Sequence, residues 1–380
     1  MKFNILILFV FTIALKTVNA QNEINLYGNL EFGSHEVGVK QLTFLDTLRG
    51  ESREIHIRLW YPAKGNTEQL KFSDYLDYKK ELNKSELLRD ISIGIGGKES
   101  LFSTDSLELI LNASMKAAKE AEVKKGKFPL LIWSIRYGTV EYQNIISEYI
   151  ASHGFVVAFT EDIPNSPYPW QVQSSHEKAN ALNQQVGDIN ISIGYLKQQH
   201  NIDKTKIGLL SWSYAGESAI LAQMSNPDID LVVGLSSIGF SSGVYLGQEL
   251  VTKVDLEKLN VPYLIISEKI GTNGTIKTAP VIFDSMHPKS RYVSLKKLAH
   301  GNFNVMEGMI PGILNTDRVQ SWSKGGEIAQ IGYEAICEIT LSFLNAVFHE
   351  ANLESFDART SLLKEDLPLE FISIESPKKK

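Results

Sequence analysis

Residues 207–220, IGLLSWSYAGESAI, run from apolar residues into a cluster of small and hydroxyl side chains and then resume an apolar rhythm. A buried strand turning sharply into a helix, with a serine at the bend, has this profile. The usual signature is G-x-S-x-G, in which the serine is held in a strained backbone where strand and helix nearly touch. The residues two before and two after that serine must therefore be small. Ser211 has Leu209 at the first of these positions and Ser218 has Ile220 at the second, so both fail. Ser213 lies between Ser211 and Ala215, with Gly216 following. Ser213 alone fits, with serine and alanine in place of the two glycines.

The flanking sequence tells what kind of sheet this strand belongs to. From Lys127 onward, short continuous apolar runs (FPLLIWS, FVVAFTED, KIGLLSW, DLVVGLSS, VPYLIISE, APVIFDSMH, RYVSLKKL) alternate with amphipathic helical stretches, the last at Gly332–Phe348. That alternation predicts an α/β fold with a mostly parallel sheet covered by helices on both faces. Upstream, VKQLTFLD and REIHIRLWYP alternate apolar and polar residues around TLRGES, the pattern of an antiparallel hairpin. Residues 64–126 are polar and helix-prone, broken by SIGIGGKES, and are expected to form an insertion, a candidate lid. Residues 351–380 are expected to be a C-terminal tail.

The 380 residues, 43% hydrophobic, suffice for one large α/β domain. Residues 1–20 carry a basic start, an uncharged run of 13 residues and a small-residue close at Val18-Asn19-Ala20, the pattern of a cleavable secretory signal. The run is short of the ~20 residues a membrane span needs. The expected location is therefore secreted or periplasmic, without stable membrane insertion after cleavage. Removing Lys2 and Lys16 leaves 36 basic against 44 acidic residues, a net charge of −8. No basic patch stands out, so nucleic acid is not an expected partner. The one cysteine, Cys337, can form no internal disulfide and is expected as a buried thiol in an apolar helix. The eight histidines include no metal-ligand spacing.

Several of these stretches, taken in order, resemble one family. HEVGVKQLTFLDTLRGESREIHIRLWYPA, PLLIWSIRYGT followed by IASHGFVVAFTED, KIGLLSWSYAGESAI and LAHGNFNV are similar to the secreted, plasma-type platelet-activating-factor acetylhydrolases and to nearby dienelactone-hydrolase-like esterases. These are α/β-hydrolases, and the resemblance runs from about His35 to Phe348. It implies a chain order of nucleophile, acid, histidine. His300, in a loop after the strand RYVSLKKL, fits the histidine; His287 precedes that strand, His349 ends the last helix, and His153 lies before a strand on the opposite edge. In the acetylhydrolase pattern the acid follows the strand after the nucleophile, where this chain has Ser236 and Ser237. In many other α/β-hydrolases it follows the next strand, which places Glu268 there. Asp284, or a serine- or water-mediated substitute, are the alternatives. The resemblance also implies oxyanion-hole amides from Tyr214 and Tyr137, although the loop that usually reads H-G-x-G is here Ile135-Arg136-Tyr137-Gly138. Arg136 is either solvated or placed to meet a substrate carboxylate or phosphate.

The resulting expectation is a secreted serine esterase without a cofactor. Ser213 attacks, His300 moves the proton, Glu268 orients His300, and the substrate is a small-molecule or lipid ester with a short or oxidised acyl chain. The same machinery on an amide would make a peptidase. A hydrolase scaffold turned binding protein, its activity lost, is the reading from another class that the altered elbow, oxyanion loop and acid position raise.

Overall fold

The computed structural model describes residues 24–49, 52–65, 68–79, 102–134, 140–160, 175–213, 215–237, 255, 257–268, 283, 286–316, 323–349, 352–366 and 374–377. The expected leader, residues 1–20, lies outside them. Twelve strands among the described residues form one sheet. They are β1 (Glu36–Asp46), β2 (Arg53–Lys64), β3 (Gln69–Lys71), β4 (Ser114–Lys119), β5 (Glu122–Val123), β6 (Phe128–Ser134), β7 (Val156–Thr160), β8 (Ile202–Trp212), β9 (Leu231–Leu235), β10 (Tyr263–Glu268), β11 (Arg291–Leu295) and β12 (Ile374–Glu375). The order is β12-β11-β10-β9-β8-β6-β7-β2-β1-β4-β3, with β5 beside β2. All pairs from β7 through β11 are parallel. The chain steps from β6 to β7 on one side and later to β8 on the other, so β6 and β8 flank the crevice where open parallel sheets bind ligands.

Side-chain alternation in these strands feeds two cores. On β6, Leu130 and Ile132 enter one and Leu131 and Trp133 the other; on β8, Ile207 and Leu209 oppose Leu210 and Trp212 in the same way. Helices α1 (Thr104–Asn112), α2 (Asn144–Ser152), α3 (Ser175–Leu196), α4 (Ala215–Ser225), α5 (Glu327–Phe348) and α6 (Leu353–Asp366) supply the cover. Ile189 and Ile193 of α3 with Ala219 and Ile220 of α4 close the first face. Ile145 and Ile150 of α2 with Ile336 and Phe343 of α5 close the second, where Cys337 is buried. Burial on both faces is why each parallel strand is a continuous apolar run. The β1–β2 hairpin is antiparallel in unbroken register from Glu36↔Ala63 to Asp46↔Arg53, and β2 joins it to β7.

Two expectations change. In residues 64–126 the described parts build β3, β4 and β5 at the sheet edge, with α1 between, in place of a helical insertion, and residues 66–67 and 80–101 lie outside the described set. The physical reason is in SMKAAK, where Met115, Ala117 and Ala118 are buried and β4 can satisfy its backbone by pairing with β1 and β3. The terminal residues are not a tail either. In α6, Phe356, Thr360 and Leu363 recur at helical spacing and are buried. Phe356 packs edge-on to Phe343, and Asp357 takes a two-pronged ion pair from Arg291 at 2.8 and 2.9 Å. Strand β12 then caps β11. Of the expected strand APVIFDSMH, Phe283, Met286 and His287 are described, and the rest lies outside the described residues.

The edge strands are tied to the sheet by Glu148 of α2. This carboxylate is fully buried and takes hydrogen bonds from Tyr27 and Tyr75 hydroxyls, each at 2.5 Å, and from the Lys116 and Ala117 amides at 3.0 and 3.1 Å. Trp60 donates to Tyr75 behind it at 2.9 Å. Burial pushes the Glu148 carboxyl up to about 7, against the pull of its four donors. The folded protein therefore holds this proton up to about pH 7, whereas the unfolded chain releases it near 4.5. Unfolding in that window releases a proton, so the contribution to stability is complete at low pH and is lost as pH rises through about 7. The expected outcome is a melting temperature for the parent that falls by about 5 °C more than that of Glu148→Gln between pH 5 and 8. Differential scanning calorimetry of the two proteins measures it, and parallel curves would refute it.

Candidate active site

Ser213 directly follows β8, at the carboxyl edge of the sheet, and its φ is +59°. For a residue with a Cβ that conformation costs about 1–3 kcal/mol, so the surroundings must hold it. The Ser213 amide donates to the Leu235 carbonyl at 3.1 Å, and the Gly216 amide donates to the Ser213 carbonyl at 3.3 Å. Ser211 donates to the Val233 carbonyl at 3.1 Å, so its hydroxyl is consumed inside the sheet. The Ser134 hydroxyl, at the end of β6, meets that of Ser218 at 2.7 Å and pins the first turn of α4. Gly216 is required by close approach: a Cβ there would lie 1.5 Å from Ser237 Oγ and 2.9 Å from Ser237 Cβ.

His300 opens a short helical turn, His300–Phe303, beyond β11. Buried Asn302 fixes that turn. Its side-chain oxygen accepts from the Ala299 and Lys324 amides, both at 3.0 Å, and its NH2 donates to the carbonyls of Glu307 at 3.0 Å and Lys324 at 2.7 Å. His300 Nε2 consequently stands 2.8 Å from Ser213 Oγ. The Trp212 indole stacks on the imidazole, with centroids 5.6 Å apart and planes 15° apart, and Tyr142 stacks on Trp212 in turn. An aromatic face against the ring limits its rotation.

Two groups face the other imidazole nitrogen. Ser236 Oγ is 2.5 Å from Nδ1, and Glu268 Oε1, from the last residue of β10, is 3.7 Å away. The second distance suits attraction between charges but exceeds a hydrogen bond. Burial would raise the Glu268 carboxyl, but His300 and the Ser236 hydroxyl outweigh it and leave it below the usual carboxylate range. It is ionised at neutral pH.

The structure thus brings Ser213, His300 and Glu268 into one cluster. Tyr137, Arg136, Tyr214 and Asp284 lie outside the described residues. His287 sits before β11, where its Nδ1 accepts from the Lys289 amide, and His349 packs on Phe155, far from the cluster in the fold. His153 faces the Glu31 carbonyl. Sequence reasoning singled out neither Trp212 nor Asn302. Trp212 carried a signal, because the residue before an elbow serine ends the buried strand and its side chain must leave on one face. Asn302 carried none. A cavity of about 400 Å³, lined by Val39, Arg58, Gln69 and Lys119 among others, lies at the far sheet edge and not at this cluster.

Comparison with known proteins bears on the fold that carries this cluster. The family described as platelet-activating factor acetylhydrolase, isoform II, matches residues 28–211, a span that stops two residues short of Ser213. Among solved structures, a ferulic acid esterase from Streptomyces cinnamoneus superposes with a TM-score of 0.58 at 16% identity, covering 82% of this chain and 89% of that one. No curated protein matches the chain.

The packing at the elbow has a consequence for stability. Gly216→Ala forces a Cβ into Ser237 and should cost about 2 kcal/mol, the usual penalty for overpacking a tight site. Adding Ser237→Gly removes the obstructing atoms and should restore most of the loss. Urea denaturation of both variants measures this, and a Gly216→Ala protein as stable as the parent would contradict it.

Proposed function

We propose that this chain, a platelet-activating-factor-acetylhydrolase-like α/β-hydrolase and a serine carboxylic ester hydrolase, works through Ser213, His300 and Glu268. The observation that carries the assignment is the 2.8 Å hydrogen bond between Ser213 Oγ and His300 Nε2, made at an elbow whose φ is +59°. A serine hydroxyl is a weak nucleophile until a base in contact with it takes its proton. Here His300 takes that proton at Nε2 as Ser213 Oγ bonds to the ester carbonyl carbon. The tetrahedral oxyanion is held by backbone amides, for which Tyr214 and Tyr137 are the candidates. Collapse expels the alcohol, which leaves with the proton from His300. Water then repeats the sequence to release the acid and free Ser213. Glu268 stays ionised and favours the imidazolium formed in each half.

The scheme needs no cofactor. The family resemblance supports a small or lipid ester with a short or oxidised acyl group, and Arg136 is a candidate for meeting an anionic part of it. The leader pattern in residues 1–20 supports export from the cytoplasm.

Purified mature protein should hydrolyse short-chain p-nitrophenyl esters and should be labelled by a fluorophosphonate probe. Ser213→Ala should abolish both, while Ser211→Ala retains them. An active Ser213→Ala with a dead Ser211→Ala would overturn the assignment of the nucleophile. Glu268→Gln should fold normally by circular dichroism and lose about 10³- to 10⁴-fold in kcat, the scale known for loss of the orienting acid in a serine protease. An unchanged kcat in that variant would remove Glu268 from the mechanism.

A further inference from the structure

The acid of this site does not touch the histidine it serves. Glu268 Oε1 is 3.7 Å from His300 Nδ1, beyond hydrogen-bond reach, whereas Ser236 Oγ is 2.5 Å away. Ser236 is 4% exposed and has a φ of +44°, a conformation that a non-glycine residue adopts only at a cost. Its amide donates to the Ile266 carbonyl at 2.7 Å, which anchors the end of β9 against β10 just ahead of Glu268. A strained residue thus presents its hydroxyl to the same imidazole nitrogen that the carboxylate faces from 3.7 Å.

Building on the ester hydrolysis proposed above, we propose that Ser236 is a positioning residue that links His300 to Glu268. The proposed chain runs Ser213, His300, Ser236, Glu268, its first two links being the contacts at 2.8 and 2.5 Å. Its polarity follows from the groups themselves. An ionised carboxylate only accepts, so the Ser236 O–H donates to Glu268 and a Ser236 lone pair accepts from His300 Nδ1–H. That fixes the tautomer with the proton on Nδ1 and leaves the Nε2 lone pair free for the Ser213 proton. No proton travels along the chain during turnover: Ser213 gives its proton to Nε2, Nδ1 keeps its own, and Ser236 keeps its own. His300 and, after it, the Ser236 hydroxyl lower the Glu268 carboxyl against the effect of burial. Strand geometry explains why an intermediary is needed. Glu268 stands one strand farther from the elbow than Ser236, and neighbouring strands are about 4.8 Å apart. The longer glutamate side chain covers most of that step, and the Ser236 hydroxyl covers the rest.

The test uses the full mature protein on p-nitrophenyl acetate, with Ser236→Gly as the main variant. Glycine removes the hydroxyl and adopts φ +44° without strain, so a folding defect is not expected; Ser236→Ala serves as a second removal of the same group. Both should lose about 10- to 100-fold in kcat with KM little changed, the rate equivalent of one hydrogen bond to a charged group. The loss should stay smaller than that of Glu268→Gln, because the charge attraction at 3.7 Å persists. In a Glu268→Ala background, removing the Ser236 hydroxyl should cost less than about twofold, since the bridge then has no acceptor to reach. The far-downfield proton resonance of His300 Nδ1–H should be present in the parent and lost in Ser236→Gly. Losses that multiply in the double variant, or a Ser236→Gly protein with parental kcat and an unmoved resonance, would overturn the bridge. An inactive, unlabelled parent would instead overturn the esterase reading, so the two failures are distinguishable.

Discussion

The backbone of Ser213, held at a φ of +59°, is the constraint on which the whole catalytic edge depends. The conformation is uphill by about 1–3 kcal/mol for a serine. It persists because the sheet continues past it: the Ser213 amide is bonded to β9 and its carbonyl is bonded into the start of α4. Room for that turn comes from Ser211, Ala215 and Gly216, the small residues around it. Gly216 in particular lets α4 approach the end of β9 at Ser237. A bulkier residue at any of these places would push helix and strand apart and turn the hydroxyl away from His300.

Around this fixed point the other groups arrive from separate strands, each by a different device. His300 comes from a loop that would wander if Asn302 did not bind it at four backbone positions. Its ring is held on a face by Trp212 and on its edge by Ser213 and Ser236. Glu268 needs no loop, since it is the last residue of a parallel strand buried on both faces. An ionised carboxylate, a hydroxyl and an aromatic face all border the imidazole, the surroundings that the proposed proton transfer from Ser213 would call on.

The far reaches of the sheet are fastened by other means. At the edge beyond β1, one buried carboxylate, Glu148, satisfies two tyrosine hydroxyls and two amides at once, joining α2 to the N-terminal segment, to β4 and to the turn at Tyr75. At the opposite edge, α6 and β12 close the sheet with the Phe343–Phe356 contact and the Arg291–Asp357 ion pair. Neither fastening touches the elbow, yet both bear on the strands that carry it.

The central strands and the serine at the elbow were legible in the sequence because their causes are local. A parallel strand covered twice must be apolar at nearly every position, and an elbow serine must have small neighbours; both rules act within a few residues of Ser213. His300 was legible for the same reason, as a histidine just beyond a strand on the correct edge. The edges were misread because β3, β5 and β12 have only two or three residues, too few for a period to register, and because α6 buries only one narrow face. The acid lay between these cases. Sequence pointed to Glu268, with Asp284 and a serine- or water-mediated substitute as alternatives, but could not tell which group reaches His300. That depends on the spacing of β9 and β10 and on where Asn302 sets the histidine loop, distances between segments more than thirty residues apart in the chain. Only the folded sheet decides them, and it places the hydroxyl against Nδ1 with the carboxylate behind.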